Sequence, residues 1–529
     1  MEHTNLLLNS MLGKGQILWV DDEIDMLKPH IIYLENKGYC VSPLKSGEDA
    51  IKFCDQNTVD LVLLDEMMTG LDGLTTLKII KAKHPSLPII MITKNEEEWL
   101  MEEAIAAQIT NYLTKPVNPS QILIACKNVL ESRQIQSDRV AKDYLQSFQK
   151  ISEDIDKADS IDNWYKIIDN LSEWLVRFDE LGDQGLGQLL DEQWKEADKL
   201  FTKFVEANYE KWFSSIDRPI MSPDIIPFYI KKQLNNDDKV ILIVIDCLRA
   251  DQLKAMNAIL NSIFDVETDY YLSLLPTATA YSRNAIFSGY YPKQIQEEYP
   301  DIWSKMWSDE SSMNRYEEEF LRDHLKRIGL ESKSYKYQKV ITFEEGNRLE
   351  ARINEYKEVD FFSIVINFID ILGHSRSESN ILQEMVPDES GYRKAVCSWL
   401  ENSWLMKLLK QISEWGHIIY ITSDHGSTRV TKPVQIKADR ETSTGIRFKY
   451  GQNIKMPDKV GFSISNPQDF LLPNHKSKTN YLIAKSGNFF IYPNEYNKFA
   501  NKYKNSFQHG GLSLEEMVVP ISTLKGKNK

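Results

Sequence analysis

The first 133 residues alternate between short apolar runs and longer segments of mixed polarity. The runs are "QILWVDD", "YCV", "DLVLLDE", "LPIIMIT" and "NYLTKP". Between them, segments such as Ile24–Asn36 and Gly47–Asp55 place apolar residues at helical spacing. Strand-length runs alternating with helices predict a parallel sheet covered on both faces. Residues 15–133 therefore read as a doubly wound α/β domain.

The pattern changes over 134–217, where no strand is predicted. Ile161, Trp164, Ile168, Leu171, Trp174/Leu175 and Phe178 recur at helical spacing, as do Leu190, Trp194, Ala197, Phe201, Phe204 and Val205. "ELGDQGLG" (Glu180–Gly187) separates the two stretches. This predicts a helical bundle of at least three helices, whose plainest role is to connect and position its neighbours. The Pro-rich "DRPIMSPDIIP" (Asp217–Pro227) marks a boundary. Residues 218–524 alternate strand and helix again and read as a second, larger α/β domain. No fixed-period repeat is present.

Length and composition agree with this division. A chain of 529 residues has room for about three domains. Its 42% hydrophobic and 11% aromatic content suits packed cores. The net charge of −14, with no basic run or zinc-finger pattern, argues against direct DNA binding. Five cysteines, an odd number without a C-x-x-C pair, argue against a disulfide framework and for a reducing, cytoplasmic setting. The three-Leu run near the start is too short for a signal peptide. No apolar run approaches the ~20 residues of a membrane span.

In the first domain the predicted strands end in Asp21-Asp22, Asp65, Thr93 and Lys115. Parallel strands bring such ends to one edge. Three carboxylates there would repel one another unless a cation neutralised them, and oxygen ligands at a small open site suit Mg²⁺. Lys115 could then neutralise a phosphoryl group arriving at one carboxylate. "ILWVDDE", "LVLLDEMMTGLDGLTTL", "IIMIT" and "YLTKP" resemble the receiver domain of two-component response regulators, a flavodoxin-like fold. The resemblance implies Asp65 as phosphoacceptor, with Asp21, Asp22, Asp65 and the Met67 carbonyl around Mg²⁺. It implies Thr93 and Tyr112 as the switch pair and Lys115 as the phosphate-binding cation. Thr69 stands where the family usually has Pro, and Lys94 where it has a small residue.

The second α/β domain carries another constellation. "VIDCLR" gives Asp246, "FIDILGHS" gives Asp370 and His374, "TSDHGS" gives Asp424 and His425, and "QHGGLSLEE" gives His509. Of nine histidines, three fall at these positions. Mixed Asp and imidazole ligands suit Zn²⁺ or a similar metal. Six such side chains plus a hydroxyl could hold two metals about 4 Å apart, an arrangement suited to in-line phosphoryl displacement.

The set resembles the alkaline phosphatase superfamily, in its PglZ branch. That resemblance implies one zinc on Asp370, His374 and His509, and another on Asp246, Thr279, Asp424 and His425. "PTATAYSRNAIFSGYYP" lines up with the superfamily's nucleophile turn, which implies Thr279 as nucleophile and Thr277 as a turn residue. Sulfatases also show a similar turn, but a threonine cannot be oxidised to their aldehyde. Related nucleotide phosphodiesterases carry an Asn three residues after the nucleophile. Here that position is Ser282, which leaves Asn284 and Arg283 as alternatives for stabilising the phosphoryl oxygen. Lys437–Gly451 reads as a solvated loop, or as a source of cations over the substrate.

Receiver, bundle and PglZ-type domain together resemble the response regulators of the type IX secretion system. This implies a sensor histidine kinase as partner, a phosphorylation-dependent homodimer, and control of secretion through a sigma factor or secretion component. The expected activity is hydrolysis of phosphodiesters, of nucleotide or cyclic and short oligonucleotide type. A phosphomonoesterase, or a non-catalytic metal-bound docking module, remains the alternative.

Overall fold

The structure is a computed structural model. It describes residues 14–527 apart from 86, 95–108, 182–183, 309–312, 377–378, 438–444, 458, 475–478 and 494–495. It divides into two compact units, 1–143 and 144–529.

The first unit holds five parallel strands: β1 (Gln16–Val20), β2 (Cys40–Leu44), β3 (Leu61–Asp65), β4 (Ile89–Thr93) and β5 (Asn111–Thr114), in the order β2-β1-β3-β4-β5. Successive strand residues face opposite sides, so each buried strand feeds two cores. Ile17, Trp19, Leu61, Leu63, Ile90 and Ile92 pack on one side, and Leu18, Val20, Val62, Leu64 and Met91 on the other. The helices are α1 (Lys28–Glu35), α2 (Gly47–Gln56), α3 (Gly73–Lys83) and α4 (Pro119–Leu130). Ser46, Asp72 and Asn118 cap the last three, each accepting a backbone N–H of the first turn. The helix Ile24–Asn36 foreseen from periodicity begins as a 3₁₀ turn at Ile24–Leu27, because Pro29 fits only an opening helical turn.

In the second unit, α5 (Ser132–Asp156), α6 (Ile161–Leu181) and α7 (Gln184–Trp212) form the predicted bundle; α5 begins in the first unit. Trp164, Ile168, Leu171, Trp174, Phe178, Leu190, Ala197, Phe201 and Val205 are buried as their spacing requires. The break is shorter than "ELGDQGLG" suggests, since Gln184–Gly187 already belong to α7. A polar group also enters this core: Gln193 accepts from the Tyr144 hydroxyl (2.8 Å) and donates to Phe148 O and Ser152 Oγ. That pairing satisfies the buried amide.

The larger sheet uses β6 (Val240–Ile245), β7 (Phe264–Leu272), β8 (Tyr335–Val340), β9 (Phe361–Ile366), β10 (Ile418–Thr422) and β11 (Val518–Gly526), in the order β7-β11-β10-β6-β9-β8. β10, β6, β9 and β8 run parallel, and β11 is antiparallel to both its neighbours. Burial on both faces explains why "VILIVI" and "FFSIVI" read as nearly continuous apolar runs. Ile241, Ile243 and Ile245 face one core, while Val240, Leu242 and Val244 face the other. Between Asp424 and His509 the chain inserts a smaller three-stranded sheet (448–451, 480–484 and 461–464).

Candidate functional sites: a carboxylate cluster and a two-metal cradle

In the first unit the strand ends meet as parallel topology requires. Oxygens of Asp21, Asp22 and Asp65 lie within 4.8 Å of one another. Lys115 Nζ sits 2.8 Å from Asp65 Oδ1 and 3.0 Å from Asp21 Oδ2. Burial, and then the charges of Asp21 and Asp22, push Asp65 up to about 6 against the pull of Lys115. One ammonium facing three carboxylates leaves negative charge that a hard divalent cation would neutralise, so the donor set fits Mg²⁺. Met67 lies in the loop after β3, its side chain exposed. Thr93 ends β4 and donates its hydroxyl to the Glu66 carboxylate, a partner not foreseen from the sequence. Tyr112 points outward, 42% exposed. Thr69 donates its N–H to Asp22 Oδ2 at 3.1 Å, a bond that Pro could not make.

In the second unit, Asp246 follows β6, Asp424 and His425 follow β10, and His509 follows the short strand Phe507–Gln508. Asp370 and His374 lie on α8 (Phe368–Arg376), where four-residue spacing stacks them on one face. His374 Nε2 and His509 Nε2 stand 3.3 and 3.5 Å from Asp370 Oδ1. His425 Nε2 lies 3.8 Å from Asp246 Oδ1, 3.7 Å from Asp424 Oδ2 and 3.0 Å from Thr279 Oγ1. The His425 and His509 rings stack with centroids 4.4 Å apart, which joins the two groups into one cradle. All six predicted Asp and His ligands and the threonine hydroxyl are thus brought together.

The carboxylates are each half satisfied. Asp246 Oδ2 accepts from Arg283 (2.6 Å) and Asn367 (2.9 Å), and Asp424 Oδ1 accepts the N–H of His425 (3.2 Å). Asp246 Oδ1 and Asp424 Oδ2 are buried without a hydrogen-bond partner. Unsatisfied buried carboxylate oxygens are costly unless a cation meets them. Burial and the charge of Asp424 push Asp246 up to about 7, and burial raises Asp424 as well. Burial, then the His425 ring, pushes His509 down to about 3, so its imidazole stays neutral, the form that binds metal. For Asp370, burial would raise the carboxyl, but His374 and His509 hold it well below the usual range. Orphaned acid oxygens beside neutral imidazoles fit a pair of zinc-type ions.

The loops are built for close approach. Thr277 Oγ1 donates to Gly511 O (2.7 Å) and accepts from Gly510 N (3.2 Å), tying the turn before Thr279 to the His509 loop. Gly510 has φ +106°, and a Cβ on Gly511 would lie 2.1 Å from the Arg447 guanidinium, so "HGG" cannot carry side chains there.

Two assignments change. Asn284 does not face the cradle: its amide donates to Ala280 O and Met313 O and accepts from Asn314. Arg283 lines the cradle, but its guanidinium is clamped between Asp246 and Glu317, each at 2.6 Å. It holds the Asp246 carboxylate in place. Of Lys437–Gly451, residues 438–444 lie outside the described residues, and Arg447 is buried against Glu516, not available to a substrate. Asn367 and Glu317 were not foreseen. Asn367 was findable, since it directly follows β9 as Asp246 directly follows β6, and Ile245 pairs with Ile366.

Comparison with known proteins gives the same parts in the same order. Residues 17–152 match the response regulator receiver domain, 134–213 the PorX response regulator linker domain, and 228–524 the BREX system PglZ alkaline phosphatase-like domain. The last match spans more than half of the chain, which belongs to the PglZ alkaline phosphatase-like family. With the receiver and linker ahead of that domain, it is a PorX-type response regulator. Curated relatives include the regulatory protein VanRc of Enterococcus gallinarum (28% identical, 26% of this chain and 58% of the relative). Two others are the transcriptional regulatory protein ResD of Bacillus subtilis (34%, 22% and 49%) and the cyclic di-GMP phosphodiesterase response regulator RpfG of Xanthomonas campestris pv. campestris (35%, 20% and 28%). The chain thus spans about half, or less, of these relatives' lengths. Among solved structures, the receiver domain of NtrX from Brucella abortus is 29% identical, covering 22% of this chain and 98% of that one, with a TM-score of 0.21. Among the described residues no helix is long and apolar enough to cross a membrane, and the five cysteines are free thiols.

Proposed function

We propose that this chain is a cytoplasmic response regulator, phosphorylated on Asp65 by a sensor histidine kinase, with a zinc-dependent phosphodiesterase as its output. The observation that carries the enzymatic half is the convergence of the two orphaned oxygens of Asp246 and Asp424, with Thr279 Oγ1, on His425 Nε2. That is the donor set of one ion, and Asp370, His374 and His509 make a second. When bound, the metals supply Lewis acidity at the Thr279 hydroxyl and at the phosphoryl oxygens. Thr279 attacks phosphorus, a new O–P bond forms, and the bond to the leaving alcohol breaks as that alcohol takes up a proton. Water then hydrolyses the phosphothreonine and restores the hydroxyl. Arg283 and Asn367 keep Asp246 aimed throughout.

Nucleotide diesters, cyclic or short oligonucleotide, are the proposed substrates, and the receiver is the proposed control. RpfG, whose name joins a response regulator to a phosphodiesterase, is a precedent for such a pairing. In the receiver, Mg²⁺ on Asp21, Asp22, Asp65 and the Met67 carbonyl would prepare Asp65. Phosphorylation would draw Thr93 from Glu66 and Tyr112 inward, favouring a homodimer. Type IX secretion, reached through a sigma factor or secretion component, is the proposed setting.

The test is turnover of bis-p-nitrophenyl phosphate with and without chelator, beside Thr279→Val. We expect a chelator-sensitive rate that the variant loses; no diester turnover by metal-loaded protein would replace the enzyme with a docking module. Beryllofluoride should raise the mass in solution to that of a dimer, and an unchanged monomer would remove the dimerisation step.

A further inference from the structure

His425 and His509 stack across the cradle, one from each donor group, yet the inserted sheet separates them in sequence. Their spacing therefore depends on ties between the two loops. One tie is a two-residue ladder that pairs Thr428 with Gln508 and Arg429 with Phe507, and it ends just before His509. On the other side of His509 the tie is Glu516. Its backbone O accepts the N–H of Gly426, the residue after His425, at 3.0 Å. Its Oε1 accepts the N–H of Gly511, two residues after His509, at 2.8 Å. Its Oε2 accepts the Ser513 hydroxyl at 2.7 Å.

A carboxylate so deeply buried needs a cation and satisfied oxygens. Arg447, from the Lys437–Gly451 segment, supplies both. Its Nε donates to Glu516 Oε1 at 3.2 Å and its Nη2 to Oε2, a fork that fixes the plane of the carboxylate. Its Nη1 donates to Asn488 O, beside the inserted sheet. The bare backbone of Gly511 leaves the guanidinium room to lie against the His509 loop. The cation of this segment thus works from below the cradle, and not over a substrate. The two ends of Glu516 also divide the labour. The backbone O holds the His425 loop and stays whatever side chain is present, whereas the carboxylate holds the His509 loop.

Resting on the two-ion reading of the cradle, we infer that Glu516, clamped by Arg447, is a positioning residue for one ion of the pair. It fixes the His509 loop against the His425 loop, so that His509 meets Asp370 and His374 around an ion beside the other group. Loss of its carboxylate loosens the Asp370, His374 and His509 group and leaves the Asp246, Asp424 and His425 group in place.

The experiment uses the full chain stripped of metal. Zinc uptake is followed by competition with a chelating dye, and cobalt uptake by its visible absorption. Removing Glu516 alone would leave Arg447 buried without its partner, so both are changed together. Arg447→Met with Glu516→Gln keeps an oxygen for the Gly511 N–H. Arg447→Met with Glu516→Leu keeps the volume and has no acceptor. We expect the second pair of substitutions to bind one of the two ions roughly 10- to 100-fold more weakly than the first pair, with the other ion unchanged. The cobalt absorption of the weakened ion should change as well. In a His374→Ala background, where the Asp370 group is already incomplete, the two pairs should bind the remaining ion alike. If the leucine protein does not fold, Glu516→Asp makes the same test, since it keeps the charge for Arg447 and draws the oxygen back from Gly511. Equal affinities of the variants for both ions, or losses of one size on both, overturn the positioning role alone. A wild type that takes up fewer than two ions removes the two-ion reading, and the positioning role with it.

Discussion

Arg283 shows how much one residue carries here. Its guanidinium is buried between Asp246 and Glu317, and burial of both acids is tolerable only because it lies between them. Replacing it by Met leaves two buried carboxylates without their cation. In chelated protein, Arg283→Met should lower the unfolding free energy by about 3–5 kcal/mol, measured by denaturant titration. Adding Glu317→Gln should restore part of that loss. A loss below about 1 kcal/mol would mean that the clamp contributes little. The role was not legible beforehand. "SR" beside a nucleophile turn suggests a phosphate contact, and only the fold brings in Glu317 from an acidic run that reads as an ordinary helix start. Asp246, Asp424 and His425 were legible because each lies within three residues of the end of a continuous apolar strand, a position that parallel topology sends to one edge. Thr69 is a receiver counterpart: a departure from the family pattern that supplies an N–H to Asp22.

Among elements, the contact between helices α9 (Thr279–Ser288) and α10 (Glu317–Arg327) sets the wall behind Thr279. α9 ends at Gly289 with φ +64°, where a Cβ would lie 2.3 Å from the His324 ring of α10. His324 bonds through Nδ1 to Phe287 O and is 1% exposed. Burial, then the charge of Arg327, holds its imidazole down at about 4. The folded state therefore keeps His324 neutral, whereas the unfolded chain takes up a proton near 6.5. This contribution is complete above pH 6.5 and is lost as pH falls toward 4, about 3 kcal/mol in all. Thermal unfolding followed between pH 7.5 and 4.5 should show that slope, and His324→Asn should flatten it while lowering stability at neutral pH. An unchanged slope in the variant would assign the pH dependence to other groups. Sequence reading reached the turn that opens α9 but neither α10 nor this contact, because a lone His in "LRDHLKR" gives no sign of burial.

For the molecule as a whole, the helical bundle proves to be part of the unit that carries the Asp–His cradle, which periodicity alone could not tell. Amphipathic spacing reports that a face is buried, not against what. In α6, Asp179 takes two bonds from Arg393, which also reaches Asp251, the partner of Arg249. Arg249 lies three residues beyond Asp246. In α7, the Tyr209 hydroxyl accepts from Leu275 N in the turn before Thr279, and Asp198 accepts from Leu514 N after the His509 loop, both at 2.8 Å. The bundle thus braces three of the segments that carry cradle residues from behind. Partners that orient ligands in this way are usually worth 10- to 100-fold in metal affinity or activity. Asp198→Leu, which cannot accept from Leu514, should weaken zinc by about that factor in competition with a chelating dye, while Asp198→Asn keeps an oxygen and most of the affinity. Tyr209→Phe should lower turnover more than metal affinity, since Leu275 leads to Thr279 and not to a histidine. If both substitutions leave affinity and turnover as in the wild type, the bundle serves only as packing, and a signal arriving through it would need another route to the metals.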